Sequence, residues 1–449
     1  MYGSRLYRAL GVTGQERMIA GYAYIRRAIR EGPLYRRLLA HVNETQWFSH
    51  HELAEYQQRK LGEMLRWAVR HVPYYRRVCG TPTGDDPLAV LDALPYLDKE
   101  SVRALGADLT SGWRTIPVSG GTGGSTGAPL IVKHNLRSII REQAFLARQL
   151  EWAGYQEGER RAWWRGGLIV PAAQTEPPFW RENRTENMLV LSSYHLSEAT
   201  VEHYRSALER FDPSVIQAYP SSISFLARYL EATGQCYRGK SLRGVITSSE
   251  MMPDEQRAAV SKVLGCPVFD WYGGYERVAA IGTCEKGTRH LLTDYSFTET
   301  LPSDQRLSEL VGTSFLERAM PLIRYRTGDQ VELAGEDARC SCGRAFPVVT
   351  QILGRCDDYL VTPDGRHIGR LDHVFHNVRG MAEAQIRQFK PDEIEIAVVP
   401  IDGFDDSMSR LIKANAAERL GPEMIVKIVT VPGIPRTGSG KVRGVVRTI

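Results

Sequence analysis

The chain has 449 residues, 43% of them hydrophobic and 24% charged, which is material for more than one core, since domains usually close at roughly 100 to 200 residues. Its net charge of +5 is small for the length and its basic residues are dispersed among acidic ones, which speaks against a nucleic-acid footprint. No apolar run approaches the roughly 20 residues of a membrane-spanning helix. Arg5, Arg8, Arg17, Arg26, Arg27 and Arg30 are scattered through the first thirty positions without an apolar core or a cleavage signal, so a cytoplasmic protein is expected.

In chain order, positions 51–77 read as helical, with Leu53, Tyr56, Leu61, Leu65, Ala68 and Val69 largely on one face and Pro73 ending the pattern. Apolar runs at 162–170, 215–219, 244–247 and 268–272 then alternate with helical stretches at 222–231 and 253–264, a sign of α/β layers. The character changes near Gly354. Beyond it, strands at 394–399 and 424–431 surround a helix at 405–419. The expectation is an α/β protein with a large multi-sheet N-terminal domain, 1–354, and a small mobile α+β C-terminal domain, 355–449. No repeat or low-complexity segment interrupts it.

Five short motifs carry candidate chemistry. Ser119 to Pro129 is a run of glycine and hydroxyl residues after Ile116-Pro117-Val118 and before a Leu-Ile-Val strand. Such a loop brings main-chain N–H groups and hydroxyls to a phosphate. No Gly-Lys-Ser/Thr follows, so it is not a P-loop. Taken alone it also reads as a flexible linker. In Asp270 to Glu276 an aromatic precedes a glycine turn and a carboxylate follows; the ring can stack on a purine and the carboxylate can hold magnesium, or this is a plain strand end. Asp329, after the Gly328 turn, can accept from both hydroxyls of a ribose. Gly354-Arg355-Cys356-Asp357-Asp358 reads as a polar hairpin. Pro435 to Lys441 presents one lysine on a glycine-containing loop near the end of the sequence.

In this order and at these separations the five motifs resemble the adenylate-forming superfamily of acyl-CoA synthetases, peptide-synthetase adenylation domains and luciferases. The similarity spans about residues 60–449. Val72-Pro73-Tyr74-Tyr75 and Tyr219-Pro220-Ser221-Ser222 resemble the phenylacetate-CoA ligase-like branch, which includes capsule-biosynthesis adenylating proteins. The resemblance implies that Thr122, Gly123, Gly124, Ser125, Thr126 and Gly127 form the phosphate loop, and that Ser249-Glu250 with Tyr272-Gly273 bracket the adenine. It further implies Glu276 on magnesium, Asp329 on the ribose, Arg355 beside the nucleotide, Asp357 at the hinge and Lys441 as the adenylation lysine. Thr122, Glu276 and Lys441 would be the catalytic set. The sequence departs from the family at two places: Ala128 stands where a lysine is common, and Tyr275 where Ser or Thr usually precedes the magnesium glutamate.

Trp164, Tyr219, Ser221 and Tyr275 are candidates to line an acyl pocket suited to an aromatic or planar acid, with core packing the competing role for Trp164 and Tyr219. Cys284, His290, Cys340 and Cys342 make a complete tetrahedral zinc set, split along the chain, whose role would be structural because no position is left open. Buried, unligated thiols are the alternative. Cys79, Cys236, Cys266 and Cys356 read as small apolar residues. The implied activity is activation of a carboxylic acid by ATP and Mg2+ to an acyl-adenylate, then transfer to CoA. An amine acceptor, or a nucleotide-binding relative without turnover, stands as the alternative. No nucleic-acid or membrane partner is expected, and the oligomeric state stays open, a dimer included.

Overall fold

The computed structural model describes residues 2, 4–79, 86–112, 118–121, 130–165, 169–171, 173–302, 307–335, 337–355, 360–363, 367–368, 371–375, 377–421, 423–436 and 442–448. It is an α/β structure whose C-terminal part carries its own sheet, as expected. By density of contacts the chain divides into two units, one comprising 1–24, 155–268 and 356–449, the other 25–154 and 269–355.

In the first unit the strands Gly244–Ser248, Val215–Ala218, Arg161–Trp164 and Met188–Leu191 lie side by side and parallel, with Trp180–Asn183 antiparallel at the edge. The three strands 188–191, 215–218 and 244–248 are buried at every position, which is why they read as continuous apolar runs: helices cover both faces of such a sheet. Val201–Phe211, Pro220–Ala232 and Asp254–Leu264 supply that cover. Proline at the first turn starts the helix 220–232 where its missing N–H costs nothing.

The C-terminal part of this unit orders its strands as Ile425–Thr430, Glu393–Pro400, Met381–Lys390 and Val445–Arg447. Ile394, Ile396 and Val398 face the helix Asp406–Leu420 through Ile412, Ala416 and Leu420. Ala397 and Val399 join the core that contains Phe225 and Leu226 of helix 220–232. The period of two along one strand thus serves two cores.

The second unit is antiparallel. Its strands run Ser296–Pro302, Ser308–Ser314, Tyr325–Leu333, Val348–Arg355, Arg289–Leu291, Ala280–Thr283 and Val268–Gly273, backed by the helices Pro33–Thr45, His50–His71 and Leu136–Trp152. Pro73 does end helix 50–71, and also starts another, Pro73–Cys79. Leu53, Tyr56, Leu61, Leu65 and Ala68 are buried as their spacing predicts. A wholly buried ion pair, Arg148 to Asp294 at 2.6 Å, receives the Thr45 hydroxyl at 2.7 Å, so the charges are paired and hydrogen-bonded as burial requires. Val118–Gly121 pairs antiparallel with Ile131–His134, so the glycine-rich segment 122–129 connects two strands. Among the described residues no helix is long and apolar enough to cross a membrane.

Candidate functional site

In the second unit, strand 268–273 ends in the turn Gly274 to Arg277, where the Arg277 amide donates to the Gly274 carbonyl at 3.1 Å. Arg277 has φ +56°, an unusual conformation for a non-glycine residue and one that collects at functional sites. Its side chain is secured by the Ser138 hydroxyl at 3.2 Å. Glu276 is buried by the same turn, with Tyr325 Oη 3.5 Å from one carboxylate oxygen. A Cβ at Gly274 would lie 2.6 Å from the other oxygen, so glycine is what lets the chain pass so close to the carboxylate.

Asp329 follows Gly328, whose φ of +75° makes the turn, and its strand position pairs with Arg355. The hydroxyl of the half-buried Tyr272 donates to Asp329 Oδ2 at 2.6 Å. Burial, and then the charge of Asp329, hold the phenol well above its ordinary range, so Tyr272 keeps its proton and remains a donor. The structure therefore ties together two residues that the sequence assigned separately to base and ribose. Tyr275 is 37% exposed and sits edge-on to His134, 4.6 Å between ring centroids. His134 is itself buried against Glu317, Nδ1 to Oε2 2.7 Å, with the Ser138 hydroxyl on the same oxygen at 2.6 Å. This support of the Glu276 turn by Arg277, Ser138, His134 and Glu317 is not legible in the sequence, because its members are up to 183 positions apart.

The four metal-ligand candidates come together. Their ligand atoms all lie within 4.8 Å of one another. Cys284 Sγ and Cys340 Sγ are 3.8 Å apart, and Cys342 Sγ is 3.4 Å from His290 Nε2. Metal–sulfur bonds of about 2.3 Å and metal–nitrogen bonds of about 2.0 Å give tetrahedral edges of about 3.8 Å and about 3.6 Å. His290 Nδ1 is 3.2 Å from the Phe346 carbonyl; donation there leaves Nε2 unprotonated toward the sulfurs, the arrangement a metal-bound imidazole adopts. Two turns carry the cysteines. Gly287, φ +80°, donates to the Cys284 carbonyl, and Gly343, φ +82°, to that of Cys340. The Cys342 amide also donates to Cys340 Sγ at 3.4 Å.

In the first unit Ser249 stands at the end of strand 244–248 with φ +72°, a second non-glycine residue in the left-handed region. Arg165, which the sequence reading did not single out, donates to its hydroxyl at 3.1 Å. The Glu250 carboxylate accepts from the Ser221 amide at 2.9 Å and from the Val442 amide at 3.0 Å. Burial raises its pKa against these hydrogen bonds. Among the pocket candidates of this unit, Trp164 has no exposed surface: it stacks on Tyr204 at 5.0 Å and 8° and belongs to the core. Its packing role is the one observed, because the neighbouring aromatic covers the face that a ligand would need. Tyr219 is also buried. Cys236 is exposed, a correction to its reading as a packed apolar residue, since it lies in the loop after helix 220–232. Thr122 to Gly127, Cys356, Asp357 and Lys441 fall outside the described residues, and so do the positions of their assigned roles.

Residues 360–448 match the family described as the CapK C-terminal domain. The chain is 25% identical over 408 residues to Protein CapK of Staphylococcus aureus, covering 89% of this chain and 90% of that one. It is 24% identical over 445 residues to the phenylacetate-coenzyme A ligase of Thermus thermophilus, covering 88% and 96%. The crystal structure of 2-hydroxyisobutyryl-CoA ligase in the postadenylation state, in complex with R3-HIB-AMP, superimposes with a TM-score of 0.65 at 18% identity, covering 90% of this chain and 92% of that one, a likeness of fold. The chain is thus similar over most of its length to CapK and to a phenylacetate-coenzyme A ligase, and it shares the fold of 2-hydroxyisobutyryl-CoA ligase.

Proposed function

We propose that this protein activates a carboxylic acid with ATP, releasing pyrophosphate and forming an acyl-adenylate, and then passes the acyl group to CoA. The observation that carries the reading is the Tyr272–Asp329 pair beside the Glu276 turn, in a chain homologous over most of its length to proteins named as CoA ligases.

In the first step a carboxylate oxygen of the acid bonds to the α-phosphorus and the bond to pyrophosphate breaks. Asp329, oriented by the Tyr272 proton, accepts the ribose hydroxyls. Glu276 would hold magnesium, and the ion would supply charge to neutralise the phosphates. Lys441 places its ammonium charge where negative charge builds up, the kind of electrostatic work that dominates such transfers. In the second step the CoA thiol gives up its proton to solvent, its sulfur bonds to the acyl carbon, and AMP leaves with the bonding electron pair. An aromatic acid fits a pocket wall that includes the exposed Tyr275 ring.

A structural zinc belongs to the same proposal. Cys284, His290, Cys340 and Cys342 fit it by separation and by the orientation of the imidazole. The ion would tie the hairpin after Glu276 to the segment leading into strand 348–355, with no open coordination position for substrate.

The test is pyrophosphate release from ATP and Mg2+ over a panel of aryl and alkyl acids, without acceptor, with CoA and with mixed amines. Acid-dependent release that CoA accelerates is the expected result. Acceleration by an amine and not by CoA would replace the thioester with an amide. ATP bound but no release with any acid would overturn the proposal.

A further inference from the structure

Arg436 and Val442, which flank positions 437–441 in the sequence, form an antiparallel bridge. Each foot is tied by a buried carboxylate. The Arg436 guanidinium is ion-paired with Glu383 on strand 381–390, both nearly inaccessible. Beyond the second foot, Gln385 donates to the Arg443 carbonyl at 2.9 Å and the Ile386 amide to the Gly444 carbonyl at 2.9 Å, so the outgoing chain is zipped onto the same strand. These contacts all lie within the C-terminal sheet.

Glu250 is different in origin. It follows the strand 244–248, some 190 residues earlier in the chain by the separation of 192 recorded for its contact with Val442. One oxygen takes the Ser221 N–H at the start of helix 220–232, where the helix dipole favours a negative charge. The other takes the Val442 N–H, the amide of the peptide bond that joins Lys441 to Val442. Each oxygen thereby accepts from one main-chain donor.

We infer that Glu250 is a positioning residue: a clamp between the start of helix 220–232 and Val442, the residue next to Lys441 in the sequence, whose hold on Val442 serves acyl-adenylate formation. The inference rests on the proposed function for its consequence and on the hydrogen bonds alone for its existence. Alanine at 250 frees both amides. Glutamine keeps one acceptor oxygen but turns an NH2 group toward one of the two N–H donors, so it restores one contact at most. A charge-assisted hydrogen bond of this kind is worth on the order of tenfold in an equilibrium or a rate.

Amide hydrogen exchange in the full chain tests the clamp without any substrate. Glu250→Ala is expected to speed exchange of the Val442 amide by about tenfold or more, with Glu250→Gln between it and the wild type, while the amides of Ile394 and Ile396 keep their protection and report an intact sheet. Unchanged exchange at Val442 overturns the inference. Should the alanine variant fail to fold, the glutamine variant carries the same test. ATP–pyrophosphate exchange is expected to fall by about tenfold in the variants, whereas consumption of a supplied acyl-adenylate by CoA stays as in the wild type. Equal loss in both steps would reduce Glu250 to a structural residue. Absence of pyrophosphate exchange in the wild type would sink the proposed function and leave the Val442 measurement standing.

Discussion

Glu250 and Asp329 are two carboxylates held in opposite ways, and the difference follows from the sheets they stand on. Glu250 ends a strand of the parallel region, where each strand leads toward the start of a helix, and it is held by backbone N–H groups. Asp329 lies in the antiparallel region, whose donors are already spent on the ladder, and it is held by the side chain of Tyr272. A backbone-held carboxylate resists mutation of its partners, because no substitution short of proline removes an N–H. A side-chain-held carboxylate can be released by deleting one oxygen atom. The antiparallel region adds a second side-chain cluster, the three sulfurs and one imidazole, that has no counterpart among the described residues of the parallel region.

The largest way to break the comparison is at that cluster. Cys342→Ala, or stripping metal with a chelator, is expected to lower the melting temperature by many degrees and release one zinc per chain, since structural zinc contributes several kcal/mol or more to folding. Calorimetry with metal analysis checks it; a protein purified free of adventitious metal that contains no zinc, and melts as before, would leave the cluster as buried thiols. Next comes the lysine whose loop Glu250 borders. Lys441→Ala is expected to slow adenylation on the order of a hundredfold or more, as loss of an electrostatic group in a transition state does, while ATP binding measured by calorimetry holds. Equal loss of binding would show that the lysine serves the ground state.

The smallest change sharpens the contrast most. Tyr272→Phe removes one oxygen, keeps the ring, and takes the phenol donor away from Asp329. With Asp329 on the ribose as proposed, the expected effect is about a tenfold rise in KM for ATP, the scale of a hydrogen bond to a charged group, with kcat little altered. A matched fall in kcat would instead place the contact in the transition state.

The difference between the regions also explains what could be read in advance. Buried parallel strands are continuous apolar runs, and 215–218 and 244–248 stand within a residue or two of where the pattern placed them. The helices 220–232, 254–264 and 406–420 were legible from their spacing for the same reason. The run beginning at 162 broke off early, at Trp164. Strand 381–390 was not legible: Met-Ala-Glu-Ala-Gln-Ile-Arg-Gln is a helix-favouring composition, and it is a strand because 393–400 and 445–447 pair with it on either side.

By itself the sequence determined the alternation of elements, the motif order and the four candidate ligands, because periodicity and residue chemistry are local properties of a chain. Tertiary structure decided which of those residues meet: that Tyr272 donates to Asp329, that Cys284 and His290 face Cys340 and Cys342, that Trp164 stacks on Tyr204, and that Glu250 reaches Val442. The reason is distance along the chain. Hydrogen bonds between residues 57 and 192 positions apart depend on how whole strands and helices pack, and no window of sequence contains that information.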